Sequence, residues 1–376
     1  MNPISYKKLG ELLEEYKEKN VENKYKPVAV GKYGIRKRED IYKKELAKDY
    51  SKNKLIYKNT LTIGMGSKQI DIGILSDDVI YSVSSAYHTF KISGVDANYL
   101  RYCLESRNAD MSERYMIESA RQGKSVDIKR LLQYEIPIYS ESDTKEILYN
   151  LQKIEQIIKN IDEQKYKMEM LIKARFVEIF GDPRINPLGY DTKELGKTCT
   201  VITGNTPSRK VPEYYGDYME WIKTDNIVSG VLNPTEAAEC LSESGVNEGR
   251  CVDENAILMA CIAGSIASIG RVCVTDRRVA FNQQINAVVP GEYNTLFLYI
   301  LLQISKDYLV EDINMALKGI LSKSKLEEKV FIVPPMELQN QFAEFVKQVD
   351  KSKVAVEEIS KRIEVLKASV MQKYFC

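Results

Sequence analysis

Histidine, tryptophan and paired cysteines are scarce in this sequence, and their scarcity excludes several kinds of metal and redox site. His88 is the only histidine and Trp221 the only tryptophan among 376 residues. The seven cysteines form no Cys-x-x-Cys pair. Zinc sites need clustered cysteine and histidine ligands, and disulfide frameworks use an even set of cysteines. The sequence therefore predicts no such zinc site, and it predicts reduced thiols in a cytoplasmic protein.

Long apolar runs and an excess of charge are also missing. No apolar run reaches the roughly 18 residues of a membrane-spanning helix, and residues 1–19 lack the apolar core of a secretory signal. Lysine and arginine number 54 against 53 acidic residues, so the total charge gives no support to nucleic-acid binding. Within residues 24–68, however, thirteen basic residues stand against four acidic ones. Such a run is found at nucleic-acid interfaces and equally on ordinary solvated faces.

Complete catalytic motifs are absent as well. The tripeptides Gly123-Lys124-Ser125 and Gly196-Lys197-Thr198 match the end of a phosphate loop. That loop needs a further glycine five residues earlier, where this chain has Glu118 and Asp191, whose carboxylates would repel a phosphate. No dinucleotide fingerprint follows a strand, and no Asn/Asp-Pro-Pro-Tyr/Phe tetrapeptide of amino-methyltransferases occurs. The sequence therefore predicts a protein that binds and positions something rather than an enzyme.

What the chain does contain is one plan repeated at an offset of roughly 190 residues. Any one of the correspondences could arise by chance, but they keep the same order along both halves. They pair 9–11 with 195–197, 66–74 with 264–272 as strand-like runs, 98–104 with 296–302 as helix starts, Gly123 with Gly319, and 135–139 with 331–335.

Each half ends in a long amphipathic segment. Apolar residues recur at spacings of three and four from Ile147 to Ile172, and again from Phe342 to Val370. This spacing predicts two helices of about 35 residues, each roughly 50 Å long, with coiled-coil-like seams. Antiparallel pairing would join the two halves, whereas two unrelated helices would each lie on their own globular part.

These patterns predict an α+β fold with two repeated mixed α/β domains separated by a pair of long antiparallel coiled-coil-like helices. Short β-type runs broken by glycine, asparagine and proline fill both globular parts. The expected boundaries are 1–140 for the first domain, 141–182 for the central helix, 183–335 for the second domain and 336–376 for the C-terminal helix.

One segment, GNTPSRKVPEYYGDYMEWIKTDNI at 204–227, combines basic and aromatic residues with turn residues. It resembles the G-x-TPS-x…Y-x-G…WI opening of target-recognition domains in specificity (S) subunits of Type I restriction-modification systems. The resemblance covers essentially the whole chain, although the first half lacks TPS and tryptophan. Further resemblances are the central glycine motif at 264–270, Phe281-Asn282-Gln283-Gln284, and Ile332–Pro335 with Glu337 and Gln339.

The resemblance implies a non-catalytic, cytoplasmic protein that reads DNA sequence. Two recognition domains would each grip one part of a bipartite asymmetric site in double-stranded DNA, with the helices holding them apart. Two methyltransferase (M) subunits would dock on the helices, and restriction/translocase (R) subunits would complete the complex. S-adenosylmethionine, ATP and Mg²⁺ would belong to those partners.

Candidate DNA contacts follow from the side chains that distinguish bases. Arginine and lysine recognise guanine, asparagine and glutamine recognise adenine, and phosphate contacts fix the docking. Trp221 is expected in the core, holding the recognition loop. In the second half the candidates are Thr206, Ser208, Arg209, Lys210, Tyr214, Tyr215, Asn282, Gln283, Gln284, Asn286, Lys318 and Lys323. In the first half they are Lys32, Tyr33, Arg36, Lys37, Arg38, Ser67, Lys68, Tyr87, His88, Arg121, Gln122 and Lys124.

Two other interpretations remain open on the sequence alone. One is a specificity module serving another restriction-methylation enzyme with the same layout. The other is a coiled-coil adaptor whose duplicated heads bind proteins and not DNA. Sequence-specific DNA binding that weakens steeply with salt separates the adaptor from both DNA readers, because phosphate neutralisation releases counterions.

Overall fold

A computed structural model describes residues 3–31, 34–42, 47–66, 68–119, 123–311, 313 and 319–376. The chain divides into two compact units, unit 1 with residues 1–160 and 360–376, and unit 2 with residues 161–359. The expected boundaries lay at the ends of the long helices, whereas this division passes through the middle of both. No helix within the described ranges is long and apolar enough to cross a membrane.

Unit 1 contains a sheet with the strand order β2-β9-β6-β7 and several two-stranded ladders. Its helices are α1 (Leu9–Leu12), α2 (Ala97–Tyr115), α3 (Ile128–Leu131) and the first part of α4 (Glu141–Phe180). The strands are β1 (Ser5–Lys8), β2 (Leu13–Tyr16), β3 (Val28–Gly31), β4 (Gly34–Lys37), β5 (Lys54–Ile56), β6 (Thr60–Met65), β7 (Ile70–Ile74), β8 (Tyr81–Val83), β9 (His88–Ile92), β10 (Met116–Ser119), β11 (Gly123–Val126) and β12 (Glu135–Ile138).

Unit 2 contains two larger sheets, with the orders β14-β23-β19-β21 and β15-β17-β16-β22-β18. Its helices are the second part of α4, α5 (Leu195–Thr198), α6 (Glu243–Glu248), α7 (Thr295–Ile304), α8 (Lys306–Val310), α9 (Lys323–Glu327) and the first part of α10 (Met336–Phe375), whose last part belongs to unit 1. The strands are β13 (Thr192–Glu194), β14 (Cys199–Thr203), β15 (Tyr215–Gly216), β16 (Met219–Ile222), β17 (Cys240–Leu241), β18 (Cys251–Val252), β19 (Ile257–Ala260), β20 (Ile262–Ala263), β21 (Val272–Val274), β22 (Val279–Phe281), β23 (Ile285–Pro290), β24 (Gly319–Ile320) and β25 (Val330–Ile332).

The two units repeat the same strand pairing. The sheet β2-β9-β6-β7 of unit 1 corresponds strand for strand to β14-β23-β19-β21 of unit 2. The pair β1·β12 likewise corresponds to β13·β25. Even single hydrogen bonds recur, since the amide of Leu9 donates to the carbonyl of Tyr134 at 2.9 Å and that of Leu195 to Lys329 at 2.8 Å. The fold class expected from the repeat is confirmed.

One of the expected strand-like runs is only partly a strand. Residues 264–270 form bends and turns, and strand β21 begins at Val272. Gly270 has a φ of +76°, a left-handed conformation that glycine adopts without steric cost and that a strand does not contain. The glycines of this run therefore mark the turn before the strand.

Helices α4 and α10 pack together in antiparallel fashion within each unit. Each has 40 residues, somewhat more than the spacing predicted. In unit 1, Glu155 of α4 lies 3.0 Å from Lys367 of α10. In unit 2, Lys165 lies 2.5 Å from Glu357. Moving ten residues forward along α4 thus corresponds to moving ten residues back along α10.

The contact in unit 1 is part of a polar network centred on Glu155. Arg101 donates to both carboxylate oxygens at 3.2 and 3.0 Å, and the Tyr102 hydroxyl donates at 2.7 Å. Lys367 adds a further donor from α10. Burial alone would raise the pKa of Glu155, but the hydrogen bonds and the charge of Arg101 lower it to about 2. The carboxylate therefore fixes the end of α10 to helices α2 and α4.

Replacing Glu155 by glutamine is expected to lower the free energy of unfolding by about 2 kcal/mol at neutral pH, because charge-assisted hydrogen bonds are lost. The carboxylate is one-third exposed, so solvent screening keeps this below the value that its pKa shift would give. A carboxyl with a lowered folded pKa stabilises above its ordinary pKa of 4.5 and loses that effect as pH falls toward about 2.

Denaturant unfolding of wild type and Glu155→Gln at pH 7 and pH 3 measures this effect. The difference between the two proteins should shrink at the lower pH. Glu105→Gln is the matched control, since Glu105 contacts the same Arg101 at 3.2 Å from a more exposed position. Equal losses for both substitutions would contradict a special role for Glu155.

Candidate nucleic-acid interface

The loop that follows β14 is hydrogen-bonded to the end of β22 and the start of β23. The amide of Gly204 donates to the carbonyl of Ile285 at 3.0 Å, and that of Asn205 donates to Phe281 at 3.2 Å. A Cβ at position 204 would lie 2.2 Å from the carbonyl oxygen of Asn282, so only glycine permits this approach. The loop therefore starts from a fixed point on the sheet.

Trp221 and Tyr215 hold the rest of this loop. Trp221 is 3% exposed, as expected for a core anchor, and its Nε1 donates to the carbonyl of Asn205 at 3.3 Å. Tyr215 packs edge-on against it with ring centroids 6.0 Å apart. The Tyr215 hydroxyl donates to the carbonyl of Pro207 at 2.6 Å. Both aromatic residues thus stabilise the conformation of the loop through hydrogen bonds to its backbone carbonyls.

Arg209 lies on these two rings and is held by a carboxylate. Its guanidinium carbon is 4.1 Å from the ring centre of Tyr215 and 5.2 Å from that of Trp221. Its two terminal nitrogens donate to Glu239 at 3.3 and 2.8 Å. Lys223 donates to the same carboxylate. Hydrogen bonds from Arg209 and Lys223 lower the pKa of Glu239 to about 2, so this anion persists across the physiological range.

The other candidates of unit 2 divide into exposed and buried groups. Thr206, Ser208 and Lys210 are exposed, and the Thr206 hydroxyl donates to the side-chain oxygen of exposed Gln283. Gln284 and Tyr214 are half-buried. Loop 206–210 and residues 283–284 therefore lie side by side and present hydroxyl, amide, ammonium and guanidinium groups together.

Two amides are turned inward. Asn286 is 3% exposed and accepts from the Thr203 hydroxyl at 2.8 Å. Asn282 is 6% exposed, and its side-chain oxygen accepts from the backbone N–H of Gln284 at 3.1 Å. Satisfied buried amides of this kind hold the backbone and are not available to a base edge. Their burial disfavours the expectation that they read adenine.

In unit 1, four candidates from three segments of the chain meet around one cavity of about 520 Å³. They are Arg38, Tyr87, His88 and Lys124. The ring of Tyr87 covers Gly64, where a Cβ would lie 2.0 Å from the ring, and its hydroxyl donates to the carbonyl of Val30 at 3.2 Å. Nδ1 of His88 lies 3.0 Å from Glu15. Tyr87 is therefore a wall of the cavity, while Arg38 and Lys124 supply positive charge.

The remaining candidates are spread over the surface. Arg36 and Lys37 are exposed on β4, and Lys68 is exposed between β6 and β7. Lys323 is exposed at the start of α9, where its Nζ lies 3.6 Å from Glu327. Lys32, Tyr33, Ser67, Arg121, Gln122 and Lys318 lie outside the described residues.

Two residues of the Arg209 site were not expected from the sequence. Glu239 precedes β17 and is thirty residues from Arg209, and nothing around it in the sequence marks it as a partner. Lys223 directly follows Trp221-Ile222 within the segment 204–227 and could have been found by its position there. Across the parts of the chain that the structure describes, no group of three or more potential metal ligands occurs.

Comparisons with known proteins show which proteins this chain resembles. A family model, the Type I restriction modification DNA specificity domain, matches residues 187–368. The Type I restriction enzyme HindI specificity subunit of Haemophilus influenzae is 32% identical over 120 residues, which are 31% of this chain and 25% of that protein. The chain thus matches about a quarter of the length of this relative.

Two solved structures have a similar fold over the whole chain. A Type I restriction-modification S subunit from M. genitalium has a TM-score of 0.55 and 14% identity, and the alignment covers 100% of this chain and 99% of the other. A structure from a study of assembly and conformational transition in the Type I system has a TM-score of 0.57 and 16% identity, with coverages of 99% and 97%. Residues 187–368 thus match the Type I restriction modification DNA specificity domain, and the whole chain shares its fold with these two structures from Type I restriction-modification systems.

Proposed function

We propose that this chain reads a bipartite, asymmetric sequence in double-stranded DNA for a Type I restriction-modification complex. Residues 1–140 and 183–335 act as the two target-recognition domains. The observation that carries the proposal is the repeated sheet. In unit 2 it supports basic, hydroxyl and amide side chains, and in unit 1 basic and aromatic ones lie around one cavity. Two similar but differently equipped readers suit a site whose two parts differ in sequence.

In the second reader, the loop at 206–210 and the residues 283–284 contact the DNA. Arg209 exchanges the Glu239 carboxylate for a guanine edge or a phosphate, since both accept the two-pronged guanidinium. Gln283 and Gln284 offer amides suited to adenine. In the first reader, Arg36, Lys37, Arg38, Lys68 and Lys124 supply positive charge that positions the duplex.

The long helices serve as the docking surface for two methyltransferase subunits, and restriction/translocase subunits join them. Exposed apolar side chains on these helices support this role, because they suit burial under a partner. Tyr166 is 64% exposed, Leu171 51% and Val365 69%. S-adenosylmethionine, ATP and Mg²⁺ act in the partner subunits.

Single-molecule sequencing of methylated bases, in cells expressing the chain with its neighbouring methyltransferase, tests this function. We expect a bipartite asymmetric motif that disappears when the chain is removed. An unchanged methylation pattern, with a methyltransferase shown to be active, would favour the protein-binding adaptor instead.

Replacing Arg209 by lysine is expected to change methylation only through the half-site read by unit 2. Loss of a two-pronged base contact costs about 1–3 kcal/mol of discrimination, so that half-site should become degenerate at one position. Sequencing the methylated motif measures this change. Arg184→Lys is the matched control, because Arg184 also pairs with a carboxylate and stacks on a tyrosine, at Glu311 and Tyr308. A motif altered equally by both substitutions would contradict a specific role for Arg209.

A further inference from the structure

A second cavity of unit 1, about 630 Å³ in volume, has a lining rich in tyrosine. Tyr25, Tyr42, Tyr50 and Tyr81 all line it, together with short apolar stretches. Its volume lies within the range of pockets that enclose small organic ligands. Tyrosine rings provide stacking faces for flat aromatic groups, and bases stack on such faces with little regard to sequence. The aromatic lining therefore suits a nucleobase.

The same cavity has an excess of positive charge on its walls. Lys24, Lys26, Lys37 and Arg38 line it, against the single carboxylate of Glu39. Lys26 lies 3.5 Å from Glu39, so one cation is compensated and the rest leave the wall positive. Guanidinium and ammonium groups bind phosphate through charge-assisted hydrogen bonds. The charge therefore suits an anionic ligand with phosphate chemistry.

Arg38 has the most distinctive environment of these cations. Its guanidinium carbon is 5.7 Å from the ring centre of Tyr50. Its Nε is buried and has no hydrogen-bond acceptor among the residues that the structure describes. A buried donor without a partner is costly, and an anionic ligand beside it would satisfy it. Among the cations of this wall, Arg38 is the one best placed to gain from a phosphate.

The aromatic walls are fixed by a buried amide. Asn20 is 2% exposed, and its side-chain nitrogen donates to the carbonyls of Tyr25 at 3.0 Å and of Tyr50 at 3.3 Å. Its side-chain oxygen accepts from the amide of Tyr25 at 3.1 Å. On the other side, the Ser82 hydroxyl donates to the same Tyr25 carbonyl at 3.1 Å. The cavity is therefore built by the fold, and a ligand would not have to assemble it.

We propose that this cavity, here called the tyrosine cavity, binds a nucleoside monophosphate group, with the base against the tyrosines and the phosphate at Arg38. The group belongs either to a free nucleotide or to one nucleotide of a DNA strand. Lys37 and Arg38 line this cavity and are also among the residues proposed to position the duplex, so the inference deepens the role of unit 1. Its test needs no methylation. If the chain directs methylation of a motif but the cavity binds no nucleotide, only the proposal for the tyrosine cavity is overturned. If the cavity binds the nucleotide but no methylated motif depends on the chain, only the DNA-reading function is overturned.

Equilibrium dialysis of the full-length chain against deoxyadenosine monophosphate, with adenosine as the phosphate-free comparison, is the first arm of the test. We expect saturable binding of the nucleotide and binding of adenosine at least about tenfold weaker, because the charge-assisted contacts are missing. Arg38→Gln should weaken binding of the nucleotide by a similar factor. Val79→Asp places a carboxylate at a half-exposed lining position and should do the same.

Lys58→Glu is the control for charge, because Lys58 is exposed in unit 1 and does not line the tyrosine cavity. It should leave nucleotide binding unchanged, and thermal unfolding of each variant verifies its folding. If Lys58→Glu weakens nucleotide binding equally, the effect is one of general charge. That result would overturn the assignment of binding to the tyrosine cavity. Nucleotide binding that survives both Arg38→Gln and Val79→Asp would overturn it as well.

The second arm uses a random-sequence DNA duplex containing 5-iodouracil, irradiated with the full-length chain and analysed by peptide mass spectrometry. Cross-links to the tyrosines of the cavity, with no binding of the free nucleotide, would assign the group to a DNA strand. Binding of the free nucleotide without these cross-links would assign it to a free ligand. The absence of both saturable nucleotide binding and cross-links at these tyrosines would overturn the proposal.

Discussion

Replacing Phe180 by alanine is expected to lower the free energy of unfolding of unit 2 by about 3–5 kcal/mol. Phe180 is fully buried at the last turn of α4. Its ring centre lies 4.8 Å from Phe297, 5.0 Å from Phe176 and 5.6 Å from Phe342. These rings come from α4, α7 and α10, so the substitution leaves a cavity where three helices meet. Both the lost transfer free energy and the remaining void contribute to the cost.

The fluorescence of Trp221 offers a specific measurement of this effect. It is the only tryptophan and it lies in unit 2, buried beside Tyr215. Denaturant unfolding followed through this residue reports on the unit that contains Phe180. Val177→Ala, on the same helix but half exposed, is the matched control and should change the free energy of unfolding by less than about 0.5 kcal/mol. Similar values for both variants would contradict a joint aromatic core.

The long helices show how far the sequence alone could predict this structure. Ile147, Leu151, Ile154 and Ile161 follow the three-and-four spacing, and all are buried. Lys165 interrupts the apolar seam of the sequence, and in the structure it pairs with Glu357 across the helix interface. Helical periodicity is local information, so it can be read from consecutive residues. The repeat was predictable for a similar reason, because the two halves keep the same order of local patterns.

The contacts that build the Arg209 site were not predictable in this way. Strand β16 pairs in parallel with β22, bringing Trp221 beside Ala280, although almost sixty residues separate them. Glu239 reaches Arg209 because β17 pairs with β16 on its other edge. Such pairings depend on the topology of the whole sheet, and single-residue propensities do not encode them. The burial of Asn286 has the same origin, since its role is set by its neighbour Thr203 across the β14·β23 ladder.

Shortening both long helices by one heptad is expected to abolish methylation of the original motif. A residue of α4 and its partner in α10 have numbers that sum to 522, as in Glu155 with Lys367 and Lys165 with Glu357. Removing residues 157–163 from α4 and 359–365 from α10 therefore preserves the antiparallel register. Each helix loses about 10 Å at 1.5 Å per residue, but seven residues are close to two full turns, so the apolar seam stays nearly in phase.

DNA does not keep its phase over the same distance. About 10 Å along the duplex is roughly three base pairs, and with about 10.5 base pairs per turn these rotate the grooves by about 100°. Under the proposed function, in which the two domains read one bipartite site, the second domain would then meet a different face of the duplex at the old spacing. If the complex can adjust to that rotation, methylation moves to a motif whose spacer is shorter by about three base pairs. If it cannot, methylation is lost altogether. In either case the original motif is no longer modified.

Sequencing of methylated bases distinguishes these results when it is combined with a length-preserving control. Lys159→Ala with Asn160→Ala changes exposed residues within the deleted stretch and keeps the helix length, so the original motif should persist. Circular dichroism should show that the shortened protein remains folded, because loss of methylation through unfolding would not concern the spacer. A folded, shortened protein that still directs methylation to the original motif would contradict the idea that helix length sets the distance between the half-sites. In that case the length of the helix pair would have no influence on the spacing between the two DNA half-sites.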